Sequence, residues 1–324
     1  MFPDPESDGF RGIFVGQQAE ALRATGAVDI EVLRVAQDRG PADYLLANLR
    51  VRRRWAGGGF DLVHVHYGLT GLATLLLPAR APTVFTFYGS DMNLALPRRI
   101  ARIVARGAIR RIFVSQRLAD LWPSDRNVVC PNGVDFGVCR PIPREEACRS
   151  LGLNPSRKWI LFGALPENPV KGFGRFQEVL TAVKQEIPGA ESLVLSEPGQ
   201  PYSRVVQKLN AADLLLFTSE RGQEGSPTVV KEALAVGLPV VSVDVGDVRE
   251  MLAGVEPGRV VDWPRDPGQG GEVAALARGV VAVLGSGRRS DGRERRDSLR
   301  TEEIARRTLA VYRKATAQAR GEPG

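Results

Sequence analysis

Glu224 and Glu232 flank the start of an expected helix, with seven residues between them, in the stretch Ser219-Glu220-Arg221-Gly222-Gln223-Glu224-Gly225-Ser226-Pro227-Thr228-Val229-Val230-Lys231-Glu232-Ala233-Leu234. The stretch directly follows the apolar run 213–218. Ser226 reads as an N-cap and Pro227 as the first helical residue, because proline lacks only an N–H that would be unpaired there. Glu224 then lies in the loop facing the helix N-terminus, and Glu232 about a turn and a half inside it. Free backbone N–H groups and the helix dipole at such an end attract a phosphate or diphosphate. A carboxylate cannot bind the phosphate itself, so the two glutamates suit hydroxyls on either side of it. One diphosphate between two polyols describes a nucleotide-sugar.

Short apolar runs alternate with helical patterns along the chain, which reads as βαβ units building parallel sheets. In the first half strands are expected at 29–35, 61–66, 83–87, 111–115 and 127–130, with helices near 14–25, 44–55, 94–108 and 116–121. Pro131-Asn132-Gly133-Val134-Asp135 reads as a turn and 140–144 as a proline-rich linker. The second half repeats the alternation, with strands at 159–163, 191–195, 213–218, 239–244 and 258–261 and helices near 173–185 and 204–211. A Gly/Ser/Arg-rich loop precedes a last helix over 299–317.

The stretch 219–234 resembles the signature of the family-4 retaining glycosyltransferases, in which two glutamates so spaced follow a strand ending in Ser. The continuation Gly237-Leu238-Pro239-Val240-Val241-Ser242-Val243-Asp244-Val245-Gly246-Asp247-Val248-Arg249-Glu250 is similar to that family as well. So are Gly12-Ile13-Phe14-Val15 with Gln18, Asp61-Leu62-Val63-His64-Val65-His66, Phe85-Thr86-Phe87-Tyr88-Gly89-Ser90-Asp91 and the turn at 131–135. The resemblance takes in nearly the whole chain. It implies an α/β GT-B fold of two Rossmann-like, doubly wound domains with an interdomain cleft. The expected partition is an acceptor-side domain over 1–141, a nucleotide-sugar-binding domain over 142–298, and a helix over 299–324 crossing back to the first domain. The family's opening strand would lie upstream of Met1, so the expectation is a start downstream of the true one, or a truncated form.

The same resemblance implies roles. Glu224 would contact the donor sugar, Glu232 the ribose and Lys171 the donor phosphates, with Glu224 and Lys171 as the catalytic candidates. Further donor contacts fall on Gly225, Ser226, Pro227, Thr228, Asn168 and Ser219. Gly12 would let the N-terminal loop approach the diphosphate, having no side chain to obstruct it. Tyr88, Asp91 and His66 are the candidates on the acceptor or sugar side. Two positions depart from the pattern. The run Gly163-Ala164-Leu165-Pro166-Glu167-Asn168 lacks the arginine usual there, which leaves more of the load to Lys171 and the amides after Gly225. Tyr88 replaces a common histidine; it can donate a hydrogen bond but does not readily take up a proton at neutral pH. His64 and His66 are expected to alternate across a buried strand, so that at most one reaches the site and a core hydrogen bond explains the other.

The chemistry so implied is transfer with retention, the leaving phosphate itself accepting the acceptor's proton. No Asp-x-Asp pair is placed to hold a metal under a diphosphate, so neither metal nor cofactor is called for; the nucleotide-sugar is a substrate. The acceptor would be a glycan or a lipid-linked molecule. Two other readings share the architecture: a degenerate protein that only binds a nucleotide-sugar, and a nucleotide-sugar 2-epimerase.

With 324 residues, 43% hydrophobic and 25% charged, the chain has the composition of a globular protein large enough for two cores. No apolar run approaches the ~20 residues of a membrane-spanning helix. Cys130, Cys139 and Cys148 fit no common zinc spacing, and a reducing cytoplasm accounts for them. The net charge of +7 is clustered, at Arg50, Arg52, Arg53 and Arg54 and again at Arg98, Arg102, Arg106 and Arg110. The second set, spaced by four, is expected on one helix face with Ile100, Ile103 and Val104 opposite. A third cluster covers Arg288, Arg289, Arg293, Arg295 and Arg296. No nucleic-acid-binding motif accompanies these charges. A solvated surface is the default, and the competing expectation is a peripheral seat for 50–54 and 98–110 on the anionic inner face of a membrane.

Overall fold

The computed structural model describes residues 13–35, 41–197, 199–264 and 271–322. The chain divides into two compact units, Met1–Gly133 with Thr301–Gly324, and Val134–Arg300. Each is built on one parallel sheet.

The first unit's sheet runs in sequence order, β1 (Val63–His66), β2 (Thr83–Phe87), β3 (Arg110–Phe113) and β4 (Asn127–Val129). Alternation along β2 sorts its side chains between two cores. Phe85 and Phe87 pack with Phe113, Met92 and Leu118 on one face. Val84 joins Ile112, Cys130, Ile304 and Val311 on the other. The last two come from the helix Thr301–Arg320, whose apolar stripe also holds Leu22 of the helix Ile13–Ala24 through Ala305 and Leu309. Aromatic and β-branched side chains at such sites each stabilise by about 1.5–3 kcal/mol on burial.

The second unit is a doubly wound sheet in the order β6-β5-β7-β8-β9, from β5 (Lys158–Phe162), β6 (Ala190–Val194), β7 (Leu214–Phe217), β8 (Val240–Val243) and β9 (Gly258–Val261). β7 and β8 are buried throughout, which is why they read as unbroken apolar runs.

Several expectations are corrected. Residues 29–35 form no strand; a strand needs a neighbour, and β1 is the outermost of the sheet among the described residues. Ile30 of this segment, with Val28 just before it, packs instead onto the cluster of Leu22, Ala305 and Leu309. The arginine series is not one stripe, because its helix is Ala95–Val104 and Arg110 opens β3. Nor is Ile103 on the hidden side: it is 72% exposed, as Leu96 is 67%, because the small Ala101 faces the core. The proline-rich linker holds over 140–143, with the helix Arg144–Leu151 directly after it, whereas the basic loop contains the short helix Gly292–Arg295. Gly12 lies outside the described residues.

Candidate active site

Strand order assembles the second unit's site. Because β5 pairs directly with β7, the loops leaving their C-terminal ends run side by side. Gly172 permits the contact: its φ is +69°, and a Cβ there would lie 2.1 Å from the Thr218 carbonyl oxygen. Thr218 Oγ1 donates to the Gly172 carbonyl at 3.0 Å, and the Glu220 N–H donates to Val170 O at 2.8 Å. These bonds seat Lys171 against the end of β7. Its ammonium donates to Glu224 Oε1 at 2.7 Å, and Ser219 Oγ donates to the same oxygen at 2.7 Å. Three residues singled out from the sequence thus meet at one carboxylate.

The helix after this loop is Thr228–Ala235, with Pro227 rather than Ser226 at the N-cap position. Ser226 does not cap it. Its hydroxyl donates instead to Asp247 Oδ2 at 2.6 Å. The loop after β8 comes this close because Gly246, at φ +56°, would place a Cβ 2.7 Å from Gly225 O. Asp247 was not foreseen, although it occupies the loop after β8 that the resemblance covers. Burial pushes its carboxyl up, with Lys231 and the Ser226 bond opposing. The first N–H groups of Thr228–Ala235 have no partner within the helix, so its N-terminus, beside Lys171 and Ser219, is disposed to receive an anion.

Asn168 is used locally, its carboxamide oxygen accepting from Val170 N–H at 3.2 Å. The arginine missing after β5 is not replaced by Arg175. That guanidinium donates to Thr218 O at 2.8 Å, pairs with Glu220 at 3.0 Å and stacks on Trp263. It lines a cavity of about 400 Å³ with Asn168, Gly172 and Glu272, to the side of Glu224 and Glu232.

Glu232 is buried, 7% exposed, one turn along the helix. Tyr202, the first residue of the helix Tyr202–Ala211, donates its O–H to Glu232 Oε1 at 2.6 Å. Burial raises the Glu232 carboxyl above its ordinary range, while the Tyr202 bond and the Lys231 charge pull it down. Nothing in the spacing of the sequence signals Tyr202; only the placing of β6 beside β5 brings it in.

The first unit holds the remaining candidates. His64 and His66 share a face of β1, with ring centroids 4.1 Å apart, since residues two apart on a strand point the same way. The expected alternation is therefore wrong. His64 bonds Tyr312 OH at 2.6 Å and Thr86 Oγ1 at 2.7 Å, and burial lowers it to about 3. His66 bonds the Tyr88 hydroxyl. Burial, with His64 next, keeps it well below the usual histidine range, and burial holds the Tyr88 phenol well above its own. Both groups are neutral. Asp91 is fully buried, and its carboxylate accepts from the backbone N–H of Gly68 at 3.1 Å, Tyr88 at 3.0 Å and Gly89 at 2.9 Å. It fixes the Tyr88 loop. Tyr67, next to His66, has φ +75°, a strained conformation for a non-glycine residue of the kind found at functional sites.

Residues 13–137 match the model of glycosyltransferase family 4, and residues 191–273 match glycosyl transferases group 1. The chain is 28% identical to a D-inositol 3-phosphate glycosyltransferase of Segniliparus rotundus, over 79% of this chain and 66% of that protein. It is 29% identical to a phosphatidyl-myo-inositol mannosyltransferase of Mycobacterium tuberculosis, over 76% of this chain and 69% of that protein. The chain thus spans about two thirds of the length of these curated relatives. Among solved structures, sucrose-phosphate synthase from Thermosynechococcus elongatus is similar with a TM-score of 0.73, 19% identity, and 97% and 95% of the two chains covered. HepE of Anabaena, in complex with UDP and glucose, gives a TM-score of 0.64, 18% identity, and 90% and 88% coverage. With two parallel sheets, a GT-B likeness along the chain and family models matching both halves, this protein belongs to the family-4 glycosyltransferases.

Proposed function

We propose that the protein is a retaining glycosyltransferase that moves a sugar from a nucleotide-sugar to a hydroxyl of a lipid-linked or glycan acceptor at an anionic membrane surface. One observation carries the reading: the Lys171 ammonium, the Ser219 hydroxyl and the Glu224 carboxylate meet beside the N-terminus of the helix that carries Glu232. An anion at that end, with a carboxylate on each side for hydroxyls, is a diphosphate between ribose and sugar. In the reaction the bond from the anomeric carbon to the phosphate oxygen breaks while the acceptor oxygen bonds to the same face. The acceptor's proton passes to the leaving phosphate. Lys171 and the helix amides meet the charge that appears on the diphosphate. Glu224 faces the positive charge that develops on the sugar. The UDP complex of HepE supports a uridine nucleotide in the donor panel, and both curated relatives support an inositol-bearing acceptor.

The test is incubation with sugar nucleotides of uridine, guanosine, adenosine and thymidine, with phosphatidylinositol vesicles as acceptor. The expected result is release of one nucleoside diphosphate together with an α-configured glycolipid from an α-configured donor. Inverted product would contradict retention. Nucleotide binding without turnover of any donor would favour the binding-only reading.

The membrane part rests on the first unit. The helix Pro41–Ala56 exposes Leu46 and Leu49, with Arg50 and Arg53 within a turn. Asn48 of that helix ties the 3-10 segment Gly68–Thr74 to it, its side-chain amide donating to Leu72 O and its Oδ1 accepting from the Leu76 N–H just beyond at 3.1 Å. On the segment's other flank Gly68 and Gly71 lie against Ala101 and Val104 of Ala95–Val104. Leu75, Leu76, Leu94, Leu96 and Ile103 are exposed along these three elements, with Arg99 and Arg102 beside them. Apolar side chains rimmed by arginines fit a bilayer with anionic headgroups. Binding to vesicles containing phosphatidylglycerol, weaker to pure phosphatidylcholine and lost in L96S/I103S, is expected in a sedimentation assay. Equal pelleting of the variant would remove this surface from the reading. Cys130, Cys139 and Cys148 are buried and in no disulfide, which suits a reducing compartment and hence the cytoplasmic face.

A further inference from the structure

Tyr202 makes a second contact besides Glu232: its hydroxyl lies 3.1 Å from Cys139 Sγ. The phenol has one proton, and the carboxylate at 2.6 Å takes it. The thiol is then the donor to the phenol oxygen, giving a chain from Cys139 S–H through Tyr202 O–H to Glu232. Burial, with the Glu232 charge next, pushes the thiol up to about 12, so it keeps the proton this chain requires. Arg293 holds the far end in place. Its guanidinium donates to Cys139 O and Phe136 O, both at 2.9 Å, and to Ala235 O at the end of the Glu232 helix.

This arrangement solves a problem set by burial. A carboxyl in the position of Glu232 tends to take up a proton, and a protonated carboxyl is a poor acceptor for two ribose hydroxyls. The groups that act on it are Tyr202 from the helix after β6 and Lys231 on its own helix, while Cys139, from the segment before β5, reaches it through Tyr202. Arg293 and Asp135 act on that thiol in turn. Tyr202 alone supplies a direct hydrogen bond among the described contacts of Glu232.

We propose that Tyr202 is a positioning residue of the donor site: by donating to one oxygen of Glu232, with its own proton directed by Cys139, it keeps that carboxylate ionised and turned so that the other oxygen serves the ribose. The proposal rests on Glu232 being the ribose ligand. It predicts that the phenol matters most where the carboxyl is near protonation.

The experiment measures the Kd of the full chain for UDP, GDP, ADP and dTDP between pH 6 and 8.5, for wild type, Tyr202→Phe and Glu232→Gln. The ratio of variant to wild-type Kd cancels the ligand's own titration. For Tyr202→Phe the ratio should be within about threefold of one at pH 8.5 and rise to about tenfold at pH 6, because loss of the bond moves the carboxyl's protonation to higher pH. For Glu232→Gln the ratio should be large and flat. A flat ratio for Tyr202→Phe, near one or not, would overturn the positioning role while leaving the donor site standing. A wild type that binds none of the four nucleotides would overturn the donor site and the proposal together. Should Tyr202→Phe fail to fold, Cys139→Ala frees the phenol to rotate and must show the same rise toward low pH; a flat ratio there overturns the proposal equally.

Discussion

Glu232→Gln is expected to weaken nucleoside diphosphate binding by tenfold or more and to remove half or more of the thermal stabilisation that the ligand gives. Each charge-assisted hydrogen bond from a ribose hydroxyl to the carboxylate contributes on the order of 1.5–3 kcal/mol, and tenfold in Kd corresponds to about 1.4 kcal/mol. A ligand at 100 times its Kd stabilises the folded chain by about 2.7 kcal/mol, and a tenfold loss of affinity leaves about half of that. Glutamine is the better probe than alanine. Glu232 is buried and accepts from Tyr202 at 2.6 Å, so alanine would strand a buried phenol O–H at a cost of about 1–3 kcal/mol in stability. Glutamine keeps the volume and an acceptor oxygen for Tyr202 and removes only the charge. Thermal melts with and without nucleotide separate the two effects. An unliganded melting temperature close to wild type, with the ligand-induced rise cut by half or more, is the expected pattern. A rise as large as in wild type would sink the assignment of Glu232 to the ribose.

Much of this site could be read from the chain because parallel α/β sheets place loops by rule. Strands β5 and β7 show as apolar runs, and their pairing makes Lys171 and Glu224 neighbours although 53 residues separate them. What the sequence conceals is decided by side chains reaching across that order. Ser226 has the composition of a cap, yet the close approach of Gly246 to Gly225 brings Asp247 within reach, and the hydroxyl is turned toward that carboxyl. Tyr202 carries no motif, since its contact with Glu232 depends on where β6 falls in the sheet. Glycine- and arginine-rich composition at 286–296 concealed the short helix Gly292–Arg295, which is held by tertiary bonds such as those of Arg293. The arginine series at 98–110 kept a helical spacing past the end of its helix, where the turn at 105–107 and the start of β3 redirect it.

Glu224→Gln should separate binding from turnover in the opposite sense to Glu232→Gln. At rest the Glu224 carboxylate accepts from both Lys171 and Ser219 at 2.7 Å, so the ammonium that is to meet the diphosphate is held by an anion. Both side chains are largely shielded, with 10% of Glu224 and 26% of Lys171 exposed, so their attraction is screened less than on an open surface. A neutral amide releases that hold and removes a negative charge from beside the ligand's phosphates. Nucleoside diphosphate should therefore bind Glu224→Gln as tightly as wild type or several-fold more tightly. Transfer should nevertheless slow on the order of 100-fold, the scale set by removing one preorganised electrostatic group from a transition state. The carboxylate matters at that stage because positive charge has developed on the sugar ring, whereas in the ground state the sugar is neutral. Lys171→Ala completes the argument, since it removes the cation outright and should lower both affinity and turnover. Measuring Kd for the nucleotide and kcat for the donor in all three variants tests the scheme. Parallel losses of affinity in Glu224→Gln and Lys171→Ala, with kcat of the former intact, would mean that the pair acts as a scaffold for the loop and that another group faces the reacting sugar.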